Sequence, residues 1–226
     1  MMMNRRNLFA NFAGDNPSAP KSTFTPHPGS LGASVFTNAL LRTHENKEVK
    51  FYDELIKGRQ VIINLMYANC DSACPIITSK LVKVHEALKD RMGKDLFMYS
   101  MTLKPEQDDP AALKKFAEMH GAANLPGWLF LTGDPYDIET IRYRLFRWDH
   151  IQFDLDPDVH ASMLRIINDS TNCWTMAIPQ ASMYTILQHI SWADPPKSLE
   201  ERLEENKAIQ EKINKEVKQY GYRKTT

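Results

Sequence analysis

The run Val61-Ile62-Ile63-Asn64-Leu65-Met66-Tyr67 constrains this chain more than any other stretch. It is short, nearly continuous in apolar character and rich in β-branched side chains, which favours a strand buried on both faces. Such a strand needs helices above and below its sheet, and the sequence supplies them. Cys74-Pro75 opens a segment in which Ile77, Leu81, Val84 and Leu88 recur at helical spacing, with Gly93 expected to close it. Leu96 to Met101 reads as a second strand. Asp109-Pro110 opens a second helix through Leu113, Phe116 and Met119, with Gly121 just past its end. Trp128 to Thr132 reads as a third strand and Pro135 to Phe146 as a third helix.

Two hairpins frame this core. Residues 39–43 and 48–51 flank the turn-prone Glu45-Asn46-Lys47, and Tyr52 to Lys57 then reads as a short helix ending at Gly58. Met163 to Ile167 and Cys173 to Ile178 flank Asn168 to Asn172, and Gln180 to Ile190 is expected to be helical and to pack on the sheet. Strands alternating with helices, then a closing hairpin and helix, predict a three-layer α/β sandwich. The thioredoxin fold has this order.

The 226-residue chain divides into three expected parts. Residues 1–33 form a flexible arm, since the Pro-, Ser-, Gly- and Thr-rich stretch from 14 to 33 has too few large apolar groups to offset the entropy of ordering. Residues 34–195 form the domain. Residues 196–226 form a charged C-terminal helix and tail, with Leu199, Leu203, Ile209, Ile213 and Val217 making only a thin apolar stripe.

Lys+Arg and Asp+Glu both number 28, so net charge gives no footprint for nucleic acid or an anionic membrane. No stretch approaches the roughly 20 apolar residues that a membrane helix needs. Asn4-Arg5-Arg6-Asn7-Leu8-Phe9 is similar to a twin-arginine export signal. The apolar stretch of about 7–15 residues that should follow is missing.

Three cysteines are too few for a disulfide scaffold. Cys70 and Cys74 lie where the first core strand hands over to its helix, and there the unsatisfied amides of a helix N-terminus favour thiolate over thiol. Cys70, on the loop, is expected to be the more exposed sulfur and Cys74 the one nearer the amides. The pair can close into a disulfide or, reduced, offer two soft ligands suited to Cu(I) and also to zinc. A disulfide closing so short a loop would contribute little as an inert staple.

Selective metal binding asks for a third donor. His27 lies in the arm, His44 in the early hairpin, His85 and His189 within helices, and His120 before a helix-ending glycine. His150 and His160 occupy the long loop that should return to the cysteine end of the sheet. His160, three residues before Met163, is the better placed, although a loop histidine taken alone is more often a solvated side chain. Cys173, within an expected strand, reads as a buried thiol. Met66, Met98, Met101, Met163 and Met176 read as core packing, and Asp71 and Asp108 as exposed carboxylates near the site.

The segment Val61 to Cys70 followed by Cys74-Pro75 resembles the Sco/SenC family of copper-binding, thioredoxin-fold proteins. The resemblance continues through Ser100-Met101-Thr102-Leu103-Lys104-Pro105-Glu106-Gln107-Asp108, through Gly127 to Gly133, and through His160-Ala161-Ser162-Met163-Leu164. It covers roughly residues 35–192. It implies that Cys70, Cys74 and His160 are copper ligands, for Cu(I) or Cu(II). It also implies that the partner is a copper-centre apoprotein, such as that of cytochrome c oxidase, or another thiol client, in the periplasm or another extracytoplasmic compartment, with the cytoplasm as the alternative left open by the incomplete export signal. Lys104 departs from the family, where many relatives carry aspartate.

A thiol–disulfide oxidoreductase or redox sensor without a physiological metal is the competing reading, with Cys70 and Cys74 as its catalytic pair. A peroxidase fits less well, because Tyr67 stands where peroxiredoxins place threonine. A zinc enzyme with Cys, Cys, His and water is a further formal alternative.

Overall fold

The computed structural model describes residues 36–146 and 163–196, together with positions 198, 200, 201, 203, 204 and 207. The expected arm at 1–33, His150 and His160, and most of the charged C-terminal segment lie outside the described residues.

The order of elements is β1 (Leu40–Thr43), β2 (Glu48–Lys50), a π-helical turn (Phe51–Ile56), β3 (Gln60–Met66), α1 (Ala73–Ala87), β4 (Leu96–Thr102), α2 (Pro110–Met119), β5 (Trp128–Gly133), α3 (Pro135–Leu145), β6 (Leu164–Asn168), β7 (Cys173–Ala177) and α4 (Met183–Trp192). Among the described residues the strands form one seven-stranded sheet in the order β2-β1-β5-β4-β3-β6-β7. β3, β4 and β5 run parallel, and β1, β6 and β7 are antiparallel to their neighbours. All seven residues of β3 are buried, as expected of a strand covered on both faces.

The alternation of side chains along the strands divides the core in two. Ile62, Met66, Met98, Trp128, Phe130, Leu164 and Ile166 pack with residues of α1, α2 and α4. Val61, Ile63, Leu65, Tyr99, Met101, Leu131 and Ile167 pack with α3 and the π-helical turn. This is the three-layer sandwich expected from the sequence. A polar relay runs inside it: Ser100 Oγ donates to Asn64 Oδ1 at 2.7 Å, and Trp128 Nε1 donates to Ser100 Oγ at 3.0 Å, linking three neighbouring strands.

Helix starts follow their capping residues. Asp109, Asp134 and Ser182 accept bonds from Ala112, Tyr136 and Thr185 amides, and Pro110 and Pro135 occupy first-turn positions. Ser182 explains why α4 begins at Met183 rather than at Gln180. The expected Tyr52–Lys57 helix is a single π-helical turn over Phe51–Ile56, closed by Lys57 N donating to Tyr52 O at 2.8 Å. Gly93 does not end α1, which stops at Ala87. Its positive φ of 76° instead lets the loop before β4 touch the loop before β5. The start of the charged C-terminal segment shows a capping box: Ser198 N donates to Glu201 Oε2 at 2.7 Å and Glu201 N donates to Ser198 Oγ at 3.1 Å.

Candidate copper and redox centre

The site grows out of the C-terminal end of β3. After Met66 the chain turns, with Cys70 N donating to Tyr67 O at 3.2 Å, and enters α1 at Ala73. Ser72 precedes α1 without a side-chain capping bond. The Cys70 sulfur supplies that contact instead, accepting the Cys74 amide at 3.4 Å, with Ser72 Oγ 3.8 Å away. Both cysteines are free thiols and both are buried, Cys70 5% and Cys74 1% exposed. The expectation of an exposed Cys70 is thus corrected: the residue is buried like Cys74, because the loop folds back onto the first turn of α1. The expectation that Cys74 lies nearer the amides is reversed, because the loop folds Cys70 back over the first turn.

The two thiols are pushed in opposite directions. Burial opposes ionisation of Cys70, but hydrogen bonds from the Cys74 thiol and amide and from the Ser72 amide and hydroxyl outweigh it, bringing the thiol down to about 7. Burial pushes Cys74 up strongly. Donation of its proton to Cys70 and the nearby Asp108 carboxylate add to that push, and a bond from the Tyr67 backbone offsets only part of it. One proton is therefore shared unequally: Cys70 ionises first and Cys74 holds its proton in reserve.

Because the thiolate is the nucleophile, alkylation of reduced protein by iodoacetamide should slow by roughly 100-fold between pH 8 and pH 5. The midpoint should fall near 7, with peptide mapping placing the label on Cys70. A midpoint at the ordinary thiol value of about 8.5 would contradict this arrangement.

Asp108 corrects the sequence reading. It is 1% exposed rather than solvated, and its Oδ2 accepts from Ala68 N at 3.0 Å and from Thr102 Oγ1 at 2.5 Å. Thr102 Oγ1 in turn accepts the Lys104 amide at 3.0 Å. One carboxylate thereby ties the cysteine loop to the end of β4. Spacing alone could not separate Asp108 from Asp71, which is exposed as expected. The signal was the threonine six residues earlier, at the end of a buried strand. Lys104 places its ammonium 4.1 Å from the centre of the Tyr67 ring, covering the residue that leads into the loop.

The remaining candidates lie apart from the cysteines in role. His44 Nδ1 accepts the Phe130 amide at 3.2 Å, and its Nε2 lies 3.3 Å from Ala123 O. His85 Nε2 lies 2.8 Å from Pro126 O and stacks on Trp128. Cys173 is half-buried, with its thiol donating to Trp192 O at 3.4 Å. Met66, Met98 and Met101 are core residues, but Met176 is 41% exposed. Among the described residues no three His, Cys, Asp or Glu side chains gather as a metal-binding group. The pair offers two soft sulfur donors, which fit a thiophilic ion such as Cu(I). The third expected donor, His160, lies outside the described residues.

A family profile described as SCO1/SenC matches residues 40–193, from the first residue of β1 to the residue after α4. The chain belongs to the SCO1/SenC family. A SCO1 protein homolog of Bacillus subtilis is 32% identical over 111 residues, which cover 46% of this chain and 54% of the relative. This SCO1/SenC chain therefore spans about half the length of that curated relative. A SCO1/SenC family lipoprotein from Bacillus anthracis superposes with a TM-score of 0.57 at 18% identity, covering 70% of this chain and 94% of the other. Yeast Sco1 with copper bound superposes with a TM-score of 0.52 at 20% identity, covering 71% and 94%. These superpositions show that the SCO1/SenC chain shares the fold of both. No helix among its described residues is long and apolar enough to cross a membrane.

Proposed function

We propose that this chain carries copper as cargo, held by Cys70, Cys74 and His160, and passes it to the apoprotein of a copper centre such as that of cytochrome c oxidase. The observation that carries this reading is the pair of free, unequally ionising thiols gathered on one loop at the start of α1. The path of the chain supports His160 as third donor. Asn64 near the end of β3 pairs with Leu164 at the start of β6, so the chain re-enters the sheet at the cysteine end. His160 lies three positions before Met163, a reach of at most about 11 Å. Yeast Sco1, of the same family, has been solved with copper bound, and the Bacillus anthracis relative is a lipoprotein, which supports an extracytoplasmic place of work.

Cu(I) favours thiolate donors, and binding requires them deprotonated, so affinity should fall in acid. Cys70 is ready near neutrality, whereas Cys74 must release its proton as the ion binds. Oxidation of the pair to a disulfide removes both sulfurs at once and ties cargo loading to redox state.

The division of protons also favours a second reading, disulfide exchange. The Cys70 thiolate attacks a client disulfide, forming a Cys70–client bond and expelling one client thiolate, which takes up a proton. Cys74, once deprotonated, attacks Cys70 sulfur and releases the second client thiolate. The client gains two electrons and the pair becomes a disulfide.

Copper titration of the full-length reduced protein separates the two. The copper reading expects a sulfur-to-copper charge-transfer band that disappears in Cys70→Ala. Absence of the band in a protein that reduces a disulfide substrate establishes exchange instead.

A further inference from the structure

Arg165 is a half-buried cation on an apolar face. In β6 it lies opposite Ile63 of β3 and Met176 of β7, and it shares the parity of Ile167, so its side chain belongs to the α3 face of the sheet. One guanidinium nitrogen, Nη2, donates to the carbonyl of Leu145, the last residue of α3. The guanidinium carbon lies 5.7 Å from the centre of the Phe146 ring. Nε is buried and has no hydrogen-bond partner among the described residues. No carboxylate among them forms an ion pair with this side chain. Burial pulls the guanidinium below its ordinary pKa.

Stability alone does not account for such a residue. Taking a cation out of water is costly, and a carbonyl and a ring face offset only part of that cost. An apolar side chain of similar length would avoid it. The contacts of Arg165 are instead distinguished by where they fall. Phe146 is the last described residue before the interval 147–162, and Met163 is the first after it. Arg165 therefore ties the chain where that interval begins to the chain where it ends. Both anchor points are firm. Leu145 is buried with Ile138 and Ile141 against the sheet, and its carbonyl is a helix C-terminal acceptor with no intrahelical partner. β6 is paired on both sides, with β3 and with β7.

We infer that Arg165 is a positioning residue for the copper donor proposed at His160, because it fixes the separation of the two points that residues 147–162 must join. The inference rests on the copper reading above. His160 lies five positions before Arg165, and β6 begins at the cysteine end of the sheet, where Leu164 pairs with Asn64. An imidazole that shares one ion with two sulfurs must be held to within about 0.5 Å. Releasing α3 from β6 frees the separation of the two anchor points, and the donor between them loses that constraint. Arginine suits the task better than lysine, since its planar fork can face a ring and aim a donor at a carbonyl together.

The test compares Cu(I) affinity and metal-free stability in the full-length reduced chain and three variants, Arg165→Met, Arg165→Lys and His160→Ala, with Arg165→Met also placed in the His160→Ala background. Arg165→Met should lower copper affinity roughly tenfold, the effect of losing a group that orients a ligand without touching the ion. Its resistance to chemical denaturation should stay the same or rise, because a desolvated cation is gone. The pH midpoint of Cys70 alkylation should not move. Arg165→Lys keeps one donor for Leu145 and should bind copper more tightly than Arg165→Met. In the His160→Ala background the methionine substitution should change affinity by less than about twofold, since the donor it positions is already absent. Wild-type affinity in Arg165→Met, beside a weakened His160→Ala, would overturn this inference and leave the copper reading standing. An undiminished loss in the His160→Ala background would do the same, as would a loss of metal-free stability that matches the loss of affinity. Wild-type affinity in His160→Ala would overturn the copper reading itself and this inference with it.

Discussion

Replacing Asp108 by alanine should destabilise the protein by roughly 3 kcal/mol and loosen the cysteine loop. Two donors, the part-buried Ala68 N–H and the buried Thr102 O–H, lose their acceptor at once. Leaving a buried donor unpaired costs about 1–3 kcal/mol each. The position is 1% exposed, so bulk water cannot simply take over. Asp108→Asn keeps a carbonyl oxygen able to accept from both donors, and its cost should be nearer 1 kcal/mol. It also removes the charge that helps push Cys74 up. Chemical denaturation of the reduced forms measures the first effect, and the pH dependence of Cys74 alkylation in unfolding-resistant conditions measures the second. Equal stability of Asp108→Ala and wild type would show that the carboxylate does not hold the loop.

Gly127→Ala should be at least as damaging, at the end of the sheet away from the cysteines. Gly127 has φ +72°, and a Cβ there would lie 2.4 Å from Gly93 N and 2.7 Å from Gly93 Cα. Those atoms are backbone, and Gly93 N is itself bonded to Leu96 O at 2.9 Å while Gly127 O accepts from Met98 N at 2.8 Å. Relief of the clash must therefore separate the starts of β4 and β5. The left-handed conformation alone costs an L-residue about 1–2 kcal/mol, and the backbone shift adds to it, for a loss of roughly 3 kcal/mol or more. Gly58→Ala makes a useful control. Its φ is +69° but nothing lies within 4 Å of its Cβ position, so only the conformational part should be lost. Equal melting temperatures for the two variants would refute the close approach.

The central strands and their helices were legible because burial on both faces leaves little freedom in composition. Residues 61–66 admit only one polar side chain, Asn64, and that residue is paired within the core. The starts of α2 and α3 were legible from Asp-Pro pairs, whose capping and fixed φ act locally. Long-range contact hid the rest. Nothing near Gly93 in sequence reveals that it meets Gly127, and Thr102, which signals that Asp108 is held, does not reveal that the carboxylate also reaches Ala68. Met176 was misread as core because strand membership does not distinguish an inner strand from an edge. The cysteine pair announced itself through its position between strand and helix. The sequence did not reveal which sulfur collects the amides, because that depends on how Asp71-Ser72 fold the loop.

The account rests on copper held jointly by two sulfurs and one imidazole. Its most direct test is Cu(I) stoichiometry and affinity, measured by competition with a chromophoric chelator on full-length reduced wild type and His160→Ala. Loss of a residue that merely orients a ligand weakens metal binding by about 10–100-fold, and loss of a ligand itself should cost at least the upper figure. The account predicts one copper per wild-type chain and an affinity lower by about 100-fold or more in His160→Ala. Identical stoichiometry and affinity in the two proteins would contradict it.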